Sequence, residues 1–390
     1  MAEYILKDSR GKEQTFADDK IFVQGTDGEL VQFTMGTGGS ASADLHYVTF
    51  MSYDGLTEYG KKAVADGDDC ADPIARGIFD TPTRESDAQY DYTFGGWATE
   101  ANGEANVDAL KAVTEDRVVY AVFNIVEELA SGDCGNTVSW RLNVNGCMTI
   151  YGEGTMDSYS SAEQQPWYDN VENIKEVVIK DGVENIGDQA FRSFTGLTSI
   201  VIPNSVTSIG SNAFFSCTNL TSINIPNSVT SIGAYAFSRC TNLTSINIPN
   251  IVTSICAGAF QMCTNITSIY IPDSITRLDS MLFYYAGLTS INIPNSVTSI
   301  GMQTFSYCTN LTSINIPDSV TSIEKNAFLK SDNLDSVVFE NTNDWWYADT
   351  NAATSGISIS PDDLANETTA ATYLTTDYAG KYWKRTVVAA

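Results

Sequence analysis

The chain has 390 residues with 48 Asp+Glu against 21 Lys+Arg, a formal net charge of −27. That balance excludes nucleic acid and anionic membrane surfaces as partners, since both need clustered Lys and Arg. Charged residues are nevertheless only 18% of the chain and hydrophobic ones 43%, a globular composition, and no apolar run approaches the roughly 20 residues of a membrane helix.

Residues 1–34 contain short alternating stretches, EYILKD, KIFVQG and ELVQFTM, and read as a β-rich attachment segment. No apolar stretch of the secretory kind follows MAEYILKDSRGKEQTF, so the expectation is export by another route; a leader already removed is the alternative. Residues 35–46, with MGTGGSASAD, form a Gly/Ser linker that lacks the Lys and following helix of a phosphate-cradling loop.

A compact β module follows over residues 47–124, from YVTFMSYDG through YDYTFGGWATE to TEDRVVYAVF. Its loop carries Asp66, Asp68, Asp69 and Asp72, either an oxygen-ligand set for calcium without the EF-hand spacing or a solvated acidic loop. His46 is the one histidine of the chain and stands beside the linker, a poor place to hold a catalytic base. Residues 131–173 are rich in strand-forming residues. Cys134 and Cys147 flank TVSWRLNV there, and a disulfide between them would need an oxidising compartment.

From residue 174 to 340 the chain repeats itself. Pro203, Pro226, Pro249, Pro272, Pro294 and Pro317 recur every 23 residues, once every 22. Six residues before each proline stand Leu197, Leu220, Leu243, Ile266, Leu288 and Leu311; an Ile stands three before and another one before. A period of this length with fixed Leu and Ile columns marks a leucine-rich-repeat solenoid, in which each coil buries its apolar side against its neighbours. The SINI stretch alternates like a short strand, proline ends it, and IGAYAF reads as a short helical turn. Lys180 and Glu340 stand where proline would in two flanking copies, so about eight parallel strands should stack ~4.8 Å apart.

If the Ile side points inward, the residues between point out. Ser222, Asn224, Ser245, Asn247, Ser268, Tyr270, Ser290, Asn292, Ser313 and Asn315 then form a hydroxyl-and-amide face with one aromatic interruption, the candidate ligand-binding surface; a merely solvated face is the other reading. Cys217, Cys240, Cys263 and Cys308 share one repeat position, where Ala286 and Ser331 replace them. A column of small buried thiols accounts for that pattern better than metal ligation.

Residues 341–390 hold Trp345, Trp346, Tyr347, Tyr382 and Trp383. Trp345 and Trp346 are a candidate aromatic patch, with an end cap over the last coil as the alternative. Glu153 with Asp157, or Asp344 with Asp349, could be imagined as a glycosidase pair, although nothing places either across a cleft.

The motif L-x-x-I-x-I-P-x-x-V-x-x-I-G-x-x-A-F-x-x-C resembles the BspA-like leucine-rich-repeat family. The flanks CGNTVSWRLNVNGCMTIYGEGTMDSYSS and NTNDWWYADTNAATSGISIS resemble that family's β-rich N-terminal cap and C-terminal segment. Residues Val48, Phe50, Tyr92, Phe94, Gly96, Trp97, Tyr120 and Phe123 resemble the Listeria–Bacteroides repeat, a small β-grasp-like surface module. The order of attachment segment, Gly/Ser tract and display modules resembles appendage proteins of tailed bacteriophages.

The fold class expected is therefore mainly β with short helical turns: a leucine-rich-repeat solenoid preceded by a β-grasp-like module and a β cap. The resemblances imply a non-enzymatic adhesion protein outside the cell, on a virion surface or alternatively a bacterial surface. Its partners would be a cell-surface protein or glycan, and virion or envelope proteins through the N-terminal segment. No cofactor, metal, nucleic acid or membrane insertion is expected. A carbohydrate-active enzyme is the reading from another class.

Overall fold

A computed structural model describes residues 45–74, 78–84 and 91–386, together with four strands nearer the N-terminus. Strand β1 (Tyr4–Lys7) pairs antiparallel with β2 (Glu13–Phe16), and β3 (Lys20–Gln24) with β4 (Leu30–Thr34). The alternating stretches mark three of these four; β2, Glu-Gln-Thr-Phe, has no alternating apolar pattern to reveal it. Residues 35–44 of the Gly/Ser linker lie outside the described residues. The chain forms two compact units divided near residue 124.

In the first unit β5 (Leu45–Met51), β6 (Glu58–Ala65), β7 (Asp91–Ala98) and β8 (Arg117–Val126) form one sheet in the order β6-β5-β8-β7. Strand β5 runs antiparallel to β6 and parallel to β8. Val48, Phe50, Trp97 and Val119 fill its core, with Phe50 edge-on to Trp97 at 4.8 Å. Cys70 is buried in that core, so it belongs to packing rather than to the acidic loop around it.

The second unit begins with β9 (Glu128–Asp133), β10 (Val138–Asn143) and β11 (Cys147–Gly152), an antiparallel meander. Strand β11 then pairs parallel with β12 (Glu176–Ile179), and β12 with Ser199–Val201. The meander thus converts an antiparallel edge into the template for the first coil, which would otherwise expose unpaired backbone. Trp167, fully buried, stacks on Phe191 at 5.9 Å and starts a column of rings. Phe191, Phe214, Phe237, Phe260, Phe283, Phe305 and Phe328 follow, each 5.2–5.9 Å from the next.

Each coil has three sides. The first carries the Ser-Ile-Asn strand and the second a two-residue Ser-Ile strand, as at Ser231–Ile232. The third departs from the sequence expectation of a helical turn. The N–H groups of Ala236, Ser238 and Cys240 close turns onto Gly233, Tyr235 and Phe237, while those of Tyr235, Phe237 and Arg239 donate to Ala257, Ala259 and Gln261 of the next coil. A helix would direct every N–H along its own axis; the alternation instead holds Tyr235 (φ 56°) and Arg239 (φ 63°) left-handed. The exchange of bonds between coils offsets that backbone cost.

The expected row of eight parallel strands is interrupted. Ser245–Asn247 pairs with Ser222–Asn224, and Ser313–Ile316 with Ser336–Phe339, but no regular strand forms at Ser268–Tyr270 or Ser290–Asn292. The second side breaks too, between Ser254–Ile255 and Arg277–Leu278. These interruptions coincide with the coil that reads ITRLD for VTSIG and with the 22-residue coil after it, whereas a further break, between Ser199–Val201 and Ser222–Asn224, falls among regular coils. The third side runs through unbroken: Gly258 N–H reaches the Ser280 carbonyl at 3.0 Å and Met281 N–H that of Met302 at 2.8 Å.

The C-terminal segment closes all three sides. Tyr382–Arg385 pairs antiparallel with Ser322–Ile323, the Ala379 carbonyl accepts from Asn326 N–H at 2.6 Å, and the helix Glu367–Thr372 packs on Ser336–Phe339. No helix among the described residues is long and apolar enough to cross a membrane.

Candidate binding face

The strand face is built as the column pattern dictates. Leu220, Ile223 and Ile225, with their counterparts in the other coils, are buried or packed against the core, and all ten candidates, Ser222 through Asn315, are exposed. The face is a run of hydroxyls and amides in which Asn247 donates to Asn224 across coils at 3.5 Å. Tyr270 is 53% exposed and its phenol donates to Asn250 Oδ1 at 3.0 Å, so the one aromatic is tethered rather than free to swing.

Beside the strands, Asn204, Asn224, Asn227 and Asn247 converge on a shallow depression of about 300 Å³ walled by Pro203 and Pro226. Reading only the residues before each proline misses Asn204, Asn227 and Asn250; the Asn that repeatedly follows proline was the available signal. At the C-terminal edge the neutral face ends in charge. Glu340 accepts from Asn315 Nδ2 at 2.7 Å and from Asp318 N–H at 3.0 Å, and Arg385 meets Asp318 at 2.6 Å. Hydrogen bonds from Arg385 and Asn341 hold the Asp318 carboxyl below the usual carboxylate range.

Residues 164–287 and 279–354 match the family described as BspA type leucine rich repeat region, in six copies. Over the repeat region the chain is therefore similar to BspA-type leucine-rich-repeat proteins. Among solved structures, a leucine rich cell surface protein from Faecalibacterium prausnitzii is 29% identical, with 57% of this chain and 57% of that chain covered and a TM-score of 0.43. The chain thus spans little more than half the length of that relative. A T. pallidum leucine rich repeat protein is 27% identical over 46% of this chain and 88% of its own, with a TM-score of 0.35. One from Bacteroides ovatus is 19% identical over 56% and 71%, with a TM-score of 0.40. The search of curated proteins gave no match.

Within the coils the cysteine column is a hydrogen-bonding device. The thiols of Cys217, Cys240, Cys263 and Cys308 each lie 3.1 Å from the carbonyl oxygen of a Phe in the preceding coil. Ser331 donates to Phe305 in the same way at 2.7 Å, so serine replaces cysteine there as a donor and not by size alone. Burial pushes the Cys308 thiol up to about 12, and those of Cys217 and Cys263 well above the usual thiol range. Cys134 and Cys147 are not bridged. Cys134 precedes β10, whereas Cys147 opens β11 next to the far end of β10, where Leu142 faces Met148. The length of β10, about 17 Å at strand rise, separates the two positions.

The aromatic patch needs correction. Trp345 is 1% exposed and donates its indole N–H to the Asn341 carbonyl at 2.9 Å, because its strand is paired into the end cap. Only Trp346, half-buried with Lys384 over its ring at 5.8 Å, reaches the surface.

The acidic loop does not converge either. Asp66 meets His46 at 3.0 Å, Asp69 meets Lys111 at 2.8 Å, and Asp72 accepts from Ile74 N–H. Glu153, Asp157, Asp344 and Asp349 are all exposed, and Lys381 binds Asp349. Among the described residues no group of His, Cys, Asp and Glu is arranged to hold a metal ion.

Proposed function

We propose that the protein is a non-enzymatic surface-display protein that adheres to a cell-surface protein or glycan through the Ser/Asn face of its BspA-type solenoid. The observation that carries this reading is the division of side chains in every coil: the aliphatic columns are hidden, and the accessible wall is polar, rigid and nearly uncharged inside a chain of net charge −27. Such a wall offers many short hydrogen bonds and no group poised for bond cleavage. Leucine-rich repeats of this type serve as binding scaffolds at or outside the cell surface.

In this reading the first unit is a spacer, and the hairpins of residues 4–34 lie at the attachment end. The finer placement, a tail- or head-fibre component of a phage virion, rests on the order of segments. A bacterial cell-surface adhesin is favoured by the family to which the repeat region is similar. Fluorescently labelled full chain should be retained by intact cells or matrix preparations, and immunogold labelling should decorate virions or bacterial envelopes. Release of sugars from a polysaccharide panel, abolished by Glu153→Gln or Asp344→Asn, would establish an enzyme instead.

A further inference from the structure

The coils differ from one another mainly on their third side. Between Thr218–Cys240 and Thr241–Cys263 the strand face is identical, while Tyr235, Ser238 and Arg239 become Gly258, Gln261 and Met262. A face that repeats unchanged between these two coils cannot distinguish one from the other; the third side can.

This side also has an unusual charge. The segments 211–216, 234–239, 257–262, 280–285, 302–307 and 325–330 contain no Asp or Glu in a chain with 48 of them, and they carry Arg239, Lys325 and Lys330; the first coil's segment, 188–193, adds Arg192 and one carboxylate, Asp188. Among the described residues none of Arg239, Lys325 and Lys330 makes an ion pair. The carboxylates on the adjoining edge, Asp279 and Glu324, are both taken by Arg277, at 2.8 and 3.3 Å.

Between the cations lies an aromatic and thioether surface. Tyr285, 39% exposed, stacks on Tyr307 with centroids 4.3 Å apart and planes 8° apart, and Tyr284 meets Tyr285 edge-on at 4.8 Å. Met262, Met281 and Met302 are partly exposed around them. Nearer the N-terminus, Arg192 and Arg239 approach the Phe215 ring at 4.6 and 5.7 Å.

We propose that this third side of the solenoid is a second docking surface, for an acidic protein segment that carries aromatic or apolar side chains. Tyr, Met and Arg are the residues enriched where protein interfaces concentrate their binding energy. The unbroken ladder of inter-coil hydrogen bonds holds them preorganised, which lowers the cost of binding. Nucleic acid would need a denser cluster of Lys and Arg than the cations of this side supply.

The test uses the full chain and a random copolymer of glutamate and tyrosine as the probe, with heparin in parallel. The copolymer should bind the wild type, and Arg239→Glu with Lys330→Glu should weaken it about tenfold or more while the melting temperature holds, as loss of charge complementarity does. Tyr285→Ala with Tyr307→Ala should weaken it as well, giving a second readout if the charge variant is unstable. Failure of the wild type to bind the copolymer, or equal binding by folded variants, overturns the proposal. Tighter binding of heparin than of the copolymer also overturns it, because the surface would then suit a sulfated glycan.

Discussion

The Cys240 thiol lies 3.1 Å from the carbonyl oxygen of Phe214, one coil back, and the Ser331 hydroxyl repeats the contact to Phe305 at 2.7 Å. The column therefore requires a small side chain, and at Cys240 and Ser331 that side chain also donates a hydrogen bond, whereas Ala286 fills the same position without one. Cys240→Ser should change stability little, whereas Cys240→Val, which leaves the Phe214 carbonyl with the Cys217 N–H as its remaining donor, should cost about 1 kcal/mol, the net worth of one hydrogen bond. Guanidinium unfolding of the two variants in reductant measures the difference; equal losses would show that the donor is irrelevant.

The buried thiols make the fold sensitive to alkali. Those of Cys134 and Cys308 are pushed up to about 12, and those of Cys217 and Cys263 also rise, chiefly through burial, from an ordinary value of 9.0. Below pH 9 both folded and unfolded thiols keep their protons and the stabilisation is complete. Above it the unfolded chain sheds protons that the folded chain retains, so stability falls with rising pH, the share of Cys134 and Cys308 until they ionise near 12 in the fold. The slope reaches about 1.4 kcal/mol per pH unit for each such thiol. Urea midpoints measured from pH 9 upward should decline steeply, and a flat profile would mean the thiols are accessible in the fold.

Phe237 is fully buried and stacked between Phe214 at 5.3 Å and Phe260 at 5.7 Å. Truncation opens a cavity in the ring column that neighbouring coils cannot close. Phe237→Ala should destabilise by about 3–5 kcal/mol. Chemical denaturation monitored by circular dichroism tests this; a loss below about 1 kcal/mol would mean that the column is not the core.

Gly258 stands where neighbouring coils have Tyr235 and Met281, at φ +66°, and a Cβ there would lie 2.3 Å from the Tyr235 ring. The glycine leaves room for Tyr235 to cross the coil and bring its hydroxyl within 4.0 Å of Met281 Sδ. Gly258→Ala should cost about 1–3 kcal/mol, and in a Tyr235→Ala background the cost should fall toward the backbone term alone, about 1 kcal/mol. Additive losses in the double variant would contradict the contact.

Repetition made the inward columns legible: a residue type that recurs at fixed intervals before each proline must face the same way in every coil. Leu220, Ile223 and Ile225, and by subtraction Ser222 and Asn224, follow from that argument alone. Three features were not legible in that way. The left-handed turns depend on carbonyls of the next coil, as Tyr235 N–H depends on Ala257, and local propensity cannot see such partners. The pairing of Tyr382–Arg385 with Ser322–Ile323 joins residues far apart in the chain, and it is this pairing that decides between the patch and end-cap readings of Trp345 in favour of the cap. Strand β6 escaped notice because Lys61 and Lys62 break its apolar alternation.

The account rests on the Ser/Asn wall as the surface that meets a ligand. The most direct measurement compares retention of the full chain on its target cells with that of Tyr270→Ala and of Asn247→Lys, alongside their melting temperatures. Both side chains are exposed, so both variants should keep the wild-type melting temperature and bind about tenfold more weakly or worse, as truncation at an interface centre does. Folded variants that adhere as strongly as the wild type would contradict the account and move the contact elsewhere on the molecule.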